Sequence, residues 1–331
     1  MVSAVNSYDL GDERLNADIA AGLADVEVRL AQAVKSDDDF ISAAAKHLVD
    51  AGGKRFRPLL AVLAANLGDP AAPGVTDAAV VVELTHLATL YHDDVMDEAP
   101  RRRGTDSANA RWGNTVAILT GDFLFARASD MLADLGPEAV RIQARTFERL
   151  VTGQIHETVG PVDGEDPVEH HLQVLADKTG SLIATSGRFG AMFAGCDDAT
   201  IEVMTRYGER IGVAFQLADD LVDVASDGDT SGKTQGTDLR EGIQTLPALI
   251  AMRSTDPADA RLQDLLSRPL PDDAEHIEAI ELLAQHPAFE EARAVARSWA
   301  DDARESISVL DEGPVRGALE ALCDYVVTRT G

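Results

Sequence analysis

Two clusters of aspartates have a spacing that suits metal binding. Each follows the pattern Asp-Asp-x-x-Asp inside an apolar, helix-like stretch; the clusters are Asp93, Asp94 and Asp97, and Asp219, Asp220 and Asp223. Residues four positions apart lie on one face of a helix, where like charges destabilise it unless a cation intervenes. Carboxylate oxygens suit Mg²⁺, which also binds substrate phosphates. The clusters therefore predict Mg²⁺ sites for a diphosphate.

The pattern alone is weak because aspartate is common in this chain. Other aspartate doublets occur at Asp37-Asp38, Asp197-Asp198, Asp272-Asp273 and Asp301-Asp302. We expect these doublets at the first turns of helices, where acidic side chains complement the helix dipole. The motifs around the two complete clusters therefore carry most of the information.

Basic residues accompany the clusters in short motifs. The chain has five lysines among 29 basic residues, and three of the five, Lys54, Lys178 and Lys233, lie in these motifs. The motif segments are Gly52–Pro58 (GGKRFRP), Arg101–Gly104 (RRRG), Lys178–Gly180 (KTG), Phe215-Gln216 before the second cluster, and Gly232–Leu239 (GKTQGTDL). Pro100 is expected to end the helix of the first cluster and to turn the arginines back toward the carboxylates.

In these motifs and their order, the chain resembles the trans-isoprenyl (all-E polyprenyl) diphosphate synthases. The resemblance extends from about Gly52 to Pro247. One departure is the segment Gly242-Ile243-Gln244 before Thr245-Leu246-Pro247, where the family often has Gly-Lys. One basic side chain is therefore missing, although Lys233 remains.

The resemblance implies a role for each motif residue. The six aspartates would bind Mg²⁺, with three ions in the substrate-bound site. Isopentenyl diphosphate would be bound by Lys54, Arg57, His86 and Arg103, and the allylic diphosphate by Arg102. The lysines expected to grip the allylic pyrophosphate are Lys178 and Lys233, and Thr179 and Gln216 would present oxygens to the forming carbocation. Arg101 matches no family position and is expected to face solvent. Supporting and structural roles remain open for Glu83, His92, Gln154 and Glu157.

The implied reaction is head-to-tail prenyl transfer, in which an allylic diphosphate ionises and isopentenyl diphosphate attacks the cation. The released pyrophosphate would take the proton, since no dedicated side-chain base is evident. Alternatives are a terpene cyclase, disfavoured by Lys54 and Arg57, and a non-catalytic regulatory subunit, disfavoured by the six aspartates.

Product length depends on the residues below the first cluster. Ala88 and Thr89 lie five and four residues before Asp93, roughly 6–7.5 Å deeper along the helix, and both are small. They favour an open channel and a long-chain product of the quinone side-chain type, with geranylgeranyl or farnesyl diphosphate as alternatives. Tyr91 is expected to point away from this channel.

The sequence predicts an all-α fold, a single-domain helical bundle of the isoprenoid synthase type with a deep central cavity. The domain would span residues 1–331, with a motif core at 52–247 and C-terminal helices at 248–331. We expect one helix over 167–195, kinked at Gly180 or Gly187, another over 198–224, and a loop over 225–242.

Composition sets further limits. A net charge of −28 argues against nucleic-acid binding, which requires basic patches. The two cysteines give no disulfide framework, and no signal peptide or transmembrane segment is evident, so a cytoplasmic protein is expected. The resemblance implies a homodimer, and the lipid product suggests loose membrane contact during its release.

Overall fold

The computed structural model describes residues 10–225 and 235–328, which are mostly helical. The first helices are α1 (Glu13–Ala33), α2 (Asp39–Asp50), α3 (Phe56–Ala65), α4 (Val75–Met96), α5 (Ala108–Trp112), α6 (Asn114–Leu135), α7 (Pro137–Val159), α8 (Pro167–Leu175), α9 (Ser181–Phe193) and α10 (Asp198–Ala225). The later helices are α11 (Thr237–Glu241), α12 (Leu246–Met252), α13 (Ala260–Leu266), α14 (Asp273–Gln285), α15 (Pro287–Ser306) and α16 (Pro314–Thr328). The all-α prediction is therefore confirmed.

Three short elements complete the described chain. A π-helix, Ala176–Gly180, joins α8 to α9, and a 3₁₀ turn spans Pro257–Asp259. The strands β1 (Arg101–Arg102) and β2 (Thr105–Asp106) form an antiparallel hairpin. These strands were not expected, because two residues are too few for an alternating pattern to be visible in a sequence.

The described residues form two compact units. Unit 1 lies within Met1–Glu148, Leu182–Gly208 and Ile307–Ala321, and unit 2 within Arg149–Ser181, Glu209–Ser306 and Leu322–Gly331. The first aspartate cluster belongs to unit 1 and the second to unit 2. The single-domain expectation stays a prediction.

In unit 1, α4 is a long helix with a largely buried N-terminal part. It packs against α1, α3, α5 and α6, and its residues from Val75 to Ala88 are almost all buried. A helix that is apolar on every side is suited to such a position. At Gly121 of α6, a Cβ atom would lie 2.3 Å from the His92 ring, so only glycine permits this approach of α6 to α4.

In unit 2, a hydrophobic core orients the second cluster. Val213, Leu217, Leu221 and Val224 of α10 pack into a core shared with α8 and α12–α15. The side chain two residues from a core position is rotated by about 200° on a helix. The core stripe therefore turns Asp219 and Asp223 to the other side of α10.

Aspartate side chains cap several helices. Asp12 accepts a hydrogen bond from the Leu15 backbone N–H at 2.8 Å, and Asp38 caps α2 by accepting from Phe40 at 2.8 Å. Asp272 caps α14 in the same way. Such caps satisfy N–H groups that have no partner within the helix. The prediction that Asp301-Asp302 begin a helix is wrong, because both lie inside α15.

The segment 167–195, predicted as one helix with a kink, is helical without a break over 167–193 and contains a π-helical turn at Ala176–Gly180. Gly187 lies inside α9, where a Cβ would approach the Met204 carbonyl oxygen to 2.7 Å, so this glycine serves helix packing. The predicted loop 225–242 is partly wrong, because Thr237–Glu241 is helical; residues 226–234 lie outside the described residues.

Within the described ranges, no helix is both long enough and apolar enough to cross a membrane.

Candidate active site

The first aspartate cluster lies at the end of α4. Asp94 is fully buried, whereas the side chain of Asp97, the C-cap residue, is about half exposed. The Asp94 Oδ1 atom accepts a hydrogen bond from Arg102 Nε at 2.6 Å. Burial raises the pKa of the Asp94 carboxyl, while the Arg102 charge acts in the opposite direction. Arg102 therefore compensates the buried carboxylate.

The hairpin after α4 returns Arg102 to this cluster. α4 ends at Met96, four residues before Pro100, and Glu98 has a left-handed φ of 50°. Arg103 (φ 52°) and Gly104 (φ 78°) form the turn between β1 and β2, as expected for a two-residue hairpin turn with positive φ at both positions. The predicted return of the arginines is confirmed for Arg102, and Arg101 is exposed as expected.

The predicted pocket for isopentenyl diphosphate includes Arg57 and His86, two partly buried residues of unit 1. Burial lowers the pKa of Arg57 to about 10, and the Arg103 charge also lowers it, while Glu83 opposes the shift. Arg57 Nε is buried and has no hydrogen-bond partner among the described residues. Burial, followed by the charges of nearby arginines, holds the pKa of His86 well below its usual range. An anionic ligand would relieve the excess positive charge.

The other two residues predicted for this pocket are Lys54, which is exposed, and Arg103, which is largely buried. Lys54 is exposed on the turn that precedes α3. Arg103 is largely buried and donates to the backbone carbonyl of Leu48 at 3.0 Å and to that of Gly52. A Cβ on Gly53 would lie 2.7 Å from Arg103 Cζ, so glycine permits this contact. Binding of isopentenyl diphosphate by these residues stays a prediction.

The second cluster lies on α10 in unit 2. Asp220 Oδ1 accepts a hydrogen bond from Gln216 Nε2 at 3.0 Å, so Gln216 contacts this cluster directly. Asp223 Oδ2 accepts from the Asp238 backbone N–H at 3.2 Å. The His171 Nε2 atom lies 3.8 Å from Asp220 Oδ2. Sequence reasoning missed His171, because no motif marks its position.

A π-helical turn presents Lys178 and Thr179. Asp177 within this turn accepts from Arg149 Nε at 2.8 Å and from Gln173 Nε2 at 2.8 Å. Arg149 also donates to Glu209 at 2.7 Å. Single π-helical turns occur frequently at functional sites. Arg149 and Asp177 are site-supporting residues that the sequence did not indicate.

The sequence left the roles of four residues undecided, and three of them lie beside predicted site residues: Glu83, Gln154 and Glu157. Glu157 pairs with Lys178 at 2.5 Å and accepts a hydrogen bond from Gln154 at 3.1 Å. His92 turns away from the aspartates and lies 3.1 Å from the Ile118 carbonyl oxygen. Glu83 is buried beside Arg55.

A cavity of about 340 Å³ lies beside α4 within unit 1. The lining residues are Thr85, His92, Asp122, Phe125, Ala128, Ser129, Leu132, Val140, Gln143, Ala144 and Phe147. The predicted chain-length residues are not among them: Ala88 is fully buried, and Thr89 Oγ1 donates to the His86 carbonyl at 2.8 Å. Tyr91 points to α2, donating to the Ala44 carbonyl at 2.6 Å. The role of Ala88 and Thr89 stays a prediction.

The donors of the first cluster fit a divalent cation. Asp94 Oδ2 is buried without a hydrogen-bond partner in the described chain, although each buried carboxylate oxygen normally has one. Hard carboxylate oxygens are the ligands that Mg²⁺ prefers. Within residues 10–225 and 235–328, no group of three or more His, Cys, Asp or Glu side chains has a metal-holding arrangement. Lys233 lies outside the described residues.

The described chain is all-α and carries one aspartate cluster on a helix of each unit. Residues 38–283 match the family model described as polyprenyl synthetase. The chain is 51% identical to a nonaprenyl diphosphate synthase of Mycobacterium tuberculosis, over 99% of this chain and 98% of the relative. It is also 41% identical to a dimethylallyltranstransferase of that organism, over 99% of each chain.

A solved structure of geranylgeranyl pyrophosphate synthase from Corynebacterium glutamicum, complexed with calcium and isoprenyl diphosphate, is similar with a TM-score of 0.88. The two are 45% identical, and the match covers 98% of this chain and 99% of that one. The chain therefore belongs to the polyprenyl synthetase family, which confirms the resemblance seen in the sequence.

Proposed function

We propose that this protein condenses isopentenyl diphosphate head-to-tail with an allylic diphosphate to make a long-chain all-trans polyprenyl diphosphate. Arg57 carries the proposal, because its buried, unpaired Nε and its lowered pKa mark a cationic group that an anion would satisfy. Lys178 in unit 2 provides a separate basic group. Two groups of cations suit a reaction with two diphosphate substrates.

The chemistry divides between these residues. The allylic C–O bond breaks, and pyrophosphate leaves with the electron pair while Lys178, Lys233 and Arg102 bind its oxygens. The double bond of isopentenyl diphosphate, held by Lys54 and Arg57, attacks the cation and forms the new C–C bond. A proton then passes to the pyrophosphate. Thr179 and Gln216 direct oxygen dipoles at the developing positive charge.

Magnesium is part of the proposal. The carboxylates of the two clusters hold Mg²⁺, with three ions when substrate is bound. Bound Mg²⁺ neutralises charge that builds on the leaving pyrophosphate. The orphaned Asp94 Oδ2 supports this assignment, and so does the calcium in the Corynebacterium complex.

A long product is supported by the nonaprenyl diphosphate synthase relative and by the cavity beside α4. The cavity lining includes His92 and Thr85, which are seven residues or roughly 10 Å apart along α4. Its apolar walls, including Phe125, Leu132 and Phe147, suit a hydrocarbon tail. Geranylgeranyl diphosphate is the second candidate product, favoured by the similarity to the Corynebacterium geranylgeranyl pyrophosphate synthase.

Product analysis tests the proposal. The purified chain is incubated with labelled isopentenyl diphosphate and each allylic primer, with Mg²⁺ or with EDTA. We expect Mg²⁺-dependent polyprenyl diphosphate longer than geranylgeranyl diphosphate. Conversion of an allylic diphosphate without isopentenyl diphosphate would instead indicate a cyclase, and complete inactivity of the isolated chain would indicate a regulatory subunit. The homodimer, loose membrane contact and cytoplasmic location remain predictions.

A further inference from the structure

A buried carboxylate, Glu83, lies beside the basic residues of unit 1. The Glu83 side chain is 2% exposed, and its Oε1 atom accepts from Arg55 Nη1 at 2.8 Å. The same oxygen lies 3.9 Å from Arg103 Nη2. A negative charge is unexpected beside a pocket for an anion, because it repels the ligand. Its position therefore needs a separate explanation.

The two arginines share a second set of partners. Arg55 donates to the carbonyls of Gly52 and Val49, each at 3.2 Å, at the C-terminal end of α2. Arg103 donates to the Gly52 carbonyl and to the Leu48 carbonyl. Cations suit these positions, since the last carbonyls of a helix have no partner within it. Glu83 thus joins two guanidinium groups that already hold the end of α2.

Both arginines also have an unusual backbone conformation. In the described residues, only three non-glycine residues have positive φ, and two of them are Arg55 at 50° and Arg103 at 52°. L-residues with a Cβ disfavour this left-handed region, so surrounding contacts must hold them there. For Arg103 the hairpin turn itself supplies part of this constraint, and the carboxylate and the carbonyls described above hold both side chains in place.

These two strained positions lie within the segments that carry the proposed ligands. Arg55 is located between Lys54 and Arg57. Arg103 follows Arg102, whose Nε atom donates to Asp94. The Arg55 guanidinium can affect substrate binding without touching substrate, because it holds the backbone between Lys54 and Arg57.

We propose that Glu83 is a positioning residue, a built-in counter-ion that locks the Arg55 turn and the Arg103 hairpin so that Lys54 and Arg57 are preset for the diphosphate of isopentenyl diphosphate. This inference rests on the proposed function. The positioning role and the charge alone predict opposite effects on the affinity for isopentenyl diphosphate. Removing the negative charge of Glu83 would strengthen binding of an anion by Coulomb's law, whereas releasing the two turns weakens it.

Glu83→Gln tests the proposal, because it keeps the side-chain shape and removes the charge. Glu27→Gln is the matched control: Glu27 pairs with the other side of Arg55 at 2.5 Å, but its side chain is 47% exposed. We measure the KM of both substrates, kcat, and binding of isopentenyl diphosphate in EDTA. In Glu83→Gln, we expect the KM and Kd of isopentenyl diphosphate to rise about tenfold or more, and the allylic KM to rise less, since Arg102 of the hairpin is also held by Asp94. In Glu27→Gln, all values should stay within about threefold of wild type.

Arg55→Lys provides the same test from the partner side, should Glu83→Gln fail to fold. It keeps the charge but loses the planar fork, so it should reproduce the defect in isopentenyl diphosphate binding. The double variant should be no worse than the worse single variant, since both act through one ion pair. Unchanged or tighter binding of isopentenyl diphosphate in Glu83→Gln overturns the inference. Absence of prenyl transfer in the wild type would instead refute the proposed function.

Discussion

Gly153 lies where α7 touches the π-helical turn, and Gly153→Ala probes that contact. A Cβ at this position would be 2.6 Å from the Lys178 backbone nitrogen and 3.0 Å from Asp177 Cβ. The nearest of these atoms belongs to the backbone, so no side-chain rotation relieves the clash. The turn that carries Lys178 must therefore shift.

The expected energies follow from two opposing effects. Overpacking a buried contact costs about 1–3 kcal/mol. Replacing glycine by alanine inside a helix stabilises the folded state by about 1 kcal/mol. Gly317→Ala in α16 is the matched control, because Gly317 is exposed and nothing lies within 4 Å of the added Cβ. The difference in unfolding free energy between the two variants should therefore equal the overpacking cost alone.

Thermal unfolding and steady-state kinetics measure the two consequences. Gly317→Ala should be slightly more stable than wild type and equally active. Gly153→Ala should unfold a few degrees below Gly317→Ala and lose roughly tenfold to 100-fold in kcat/KM for the allylic diphosphate, because a displacement near 1 Å has effects of that size. If Gly153→Ala matched Gly317→Ala in both stability and activity, the close packing of the π-helical turn against α7 would be refuted.

Four further substitutions test other parts of the site. Arg57→Ala should raise the KM of isopentenyl diphosphate more than that of the allylic substrate, and Lys178→Ala should do the reverse; equal changes in both variants would contradict two separate diphosphate sites. Ala88→Phe should shorten the product, seen by chromatography of dephosphorylated prenols, without slowing the first condensation, and an unchanged product would place the channel floor elsewhere. Tyr91→Phe should lose about 0.5–1.5 kcal/mol of unfolding free energy, since its buried hydroxyl donates to the Ala44 carbonyl; a thermal midpoint equal to that of wild type would argue against this bond.

Local patterns predicted the features that depend on nearby residues. The hydrophobic periodicity predicted the helices, and the arginines a few residues after the first cluster predicted the return of Arg102 to Asp94, which are eight residues apart. Asp38 and Asp272 cap helices as their acidic first turns suggested. These interactions are visible in a sequence because the chain between the partners is short.

Long-range partners could not be predicted in the same way. Arg149 meets Asp177 across 28 residues and Glu209 across 60, and Arg55 meets Glu83 across 28. No helical or strand period relates such positions, so only the packing of separate helices reveals them. The π-helix was not predicted for a related reason. Its residue Asp177 is held by side chains of two other helices, Arg149 of α7 and Gln173 of α8.

The π-helix also affects how chains of this family tolerate changes in length. Its hydrogen bonds close over one more residue than those of an α-helix, so Ala176–Gly180 acts as an absorbed single-residue insertion between α8 and α9. Deleting one residue here would allow α8 and α9 to continue as a single α-helix. Elsewhere in a helix, such a deletion would rotate every following side chain by about 100°. In a relative that is one residue shorter at this point, the same faces of α8 and α9 should therefore remain buried. An alignment with that relative should place the gap within the π-helical turn.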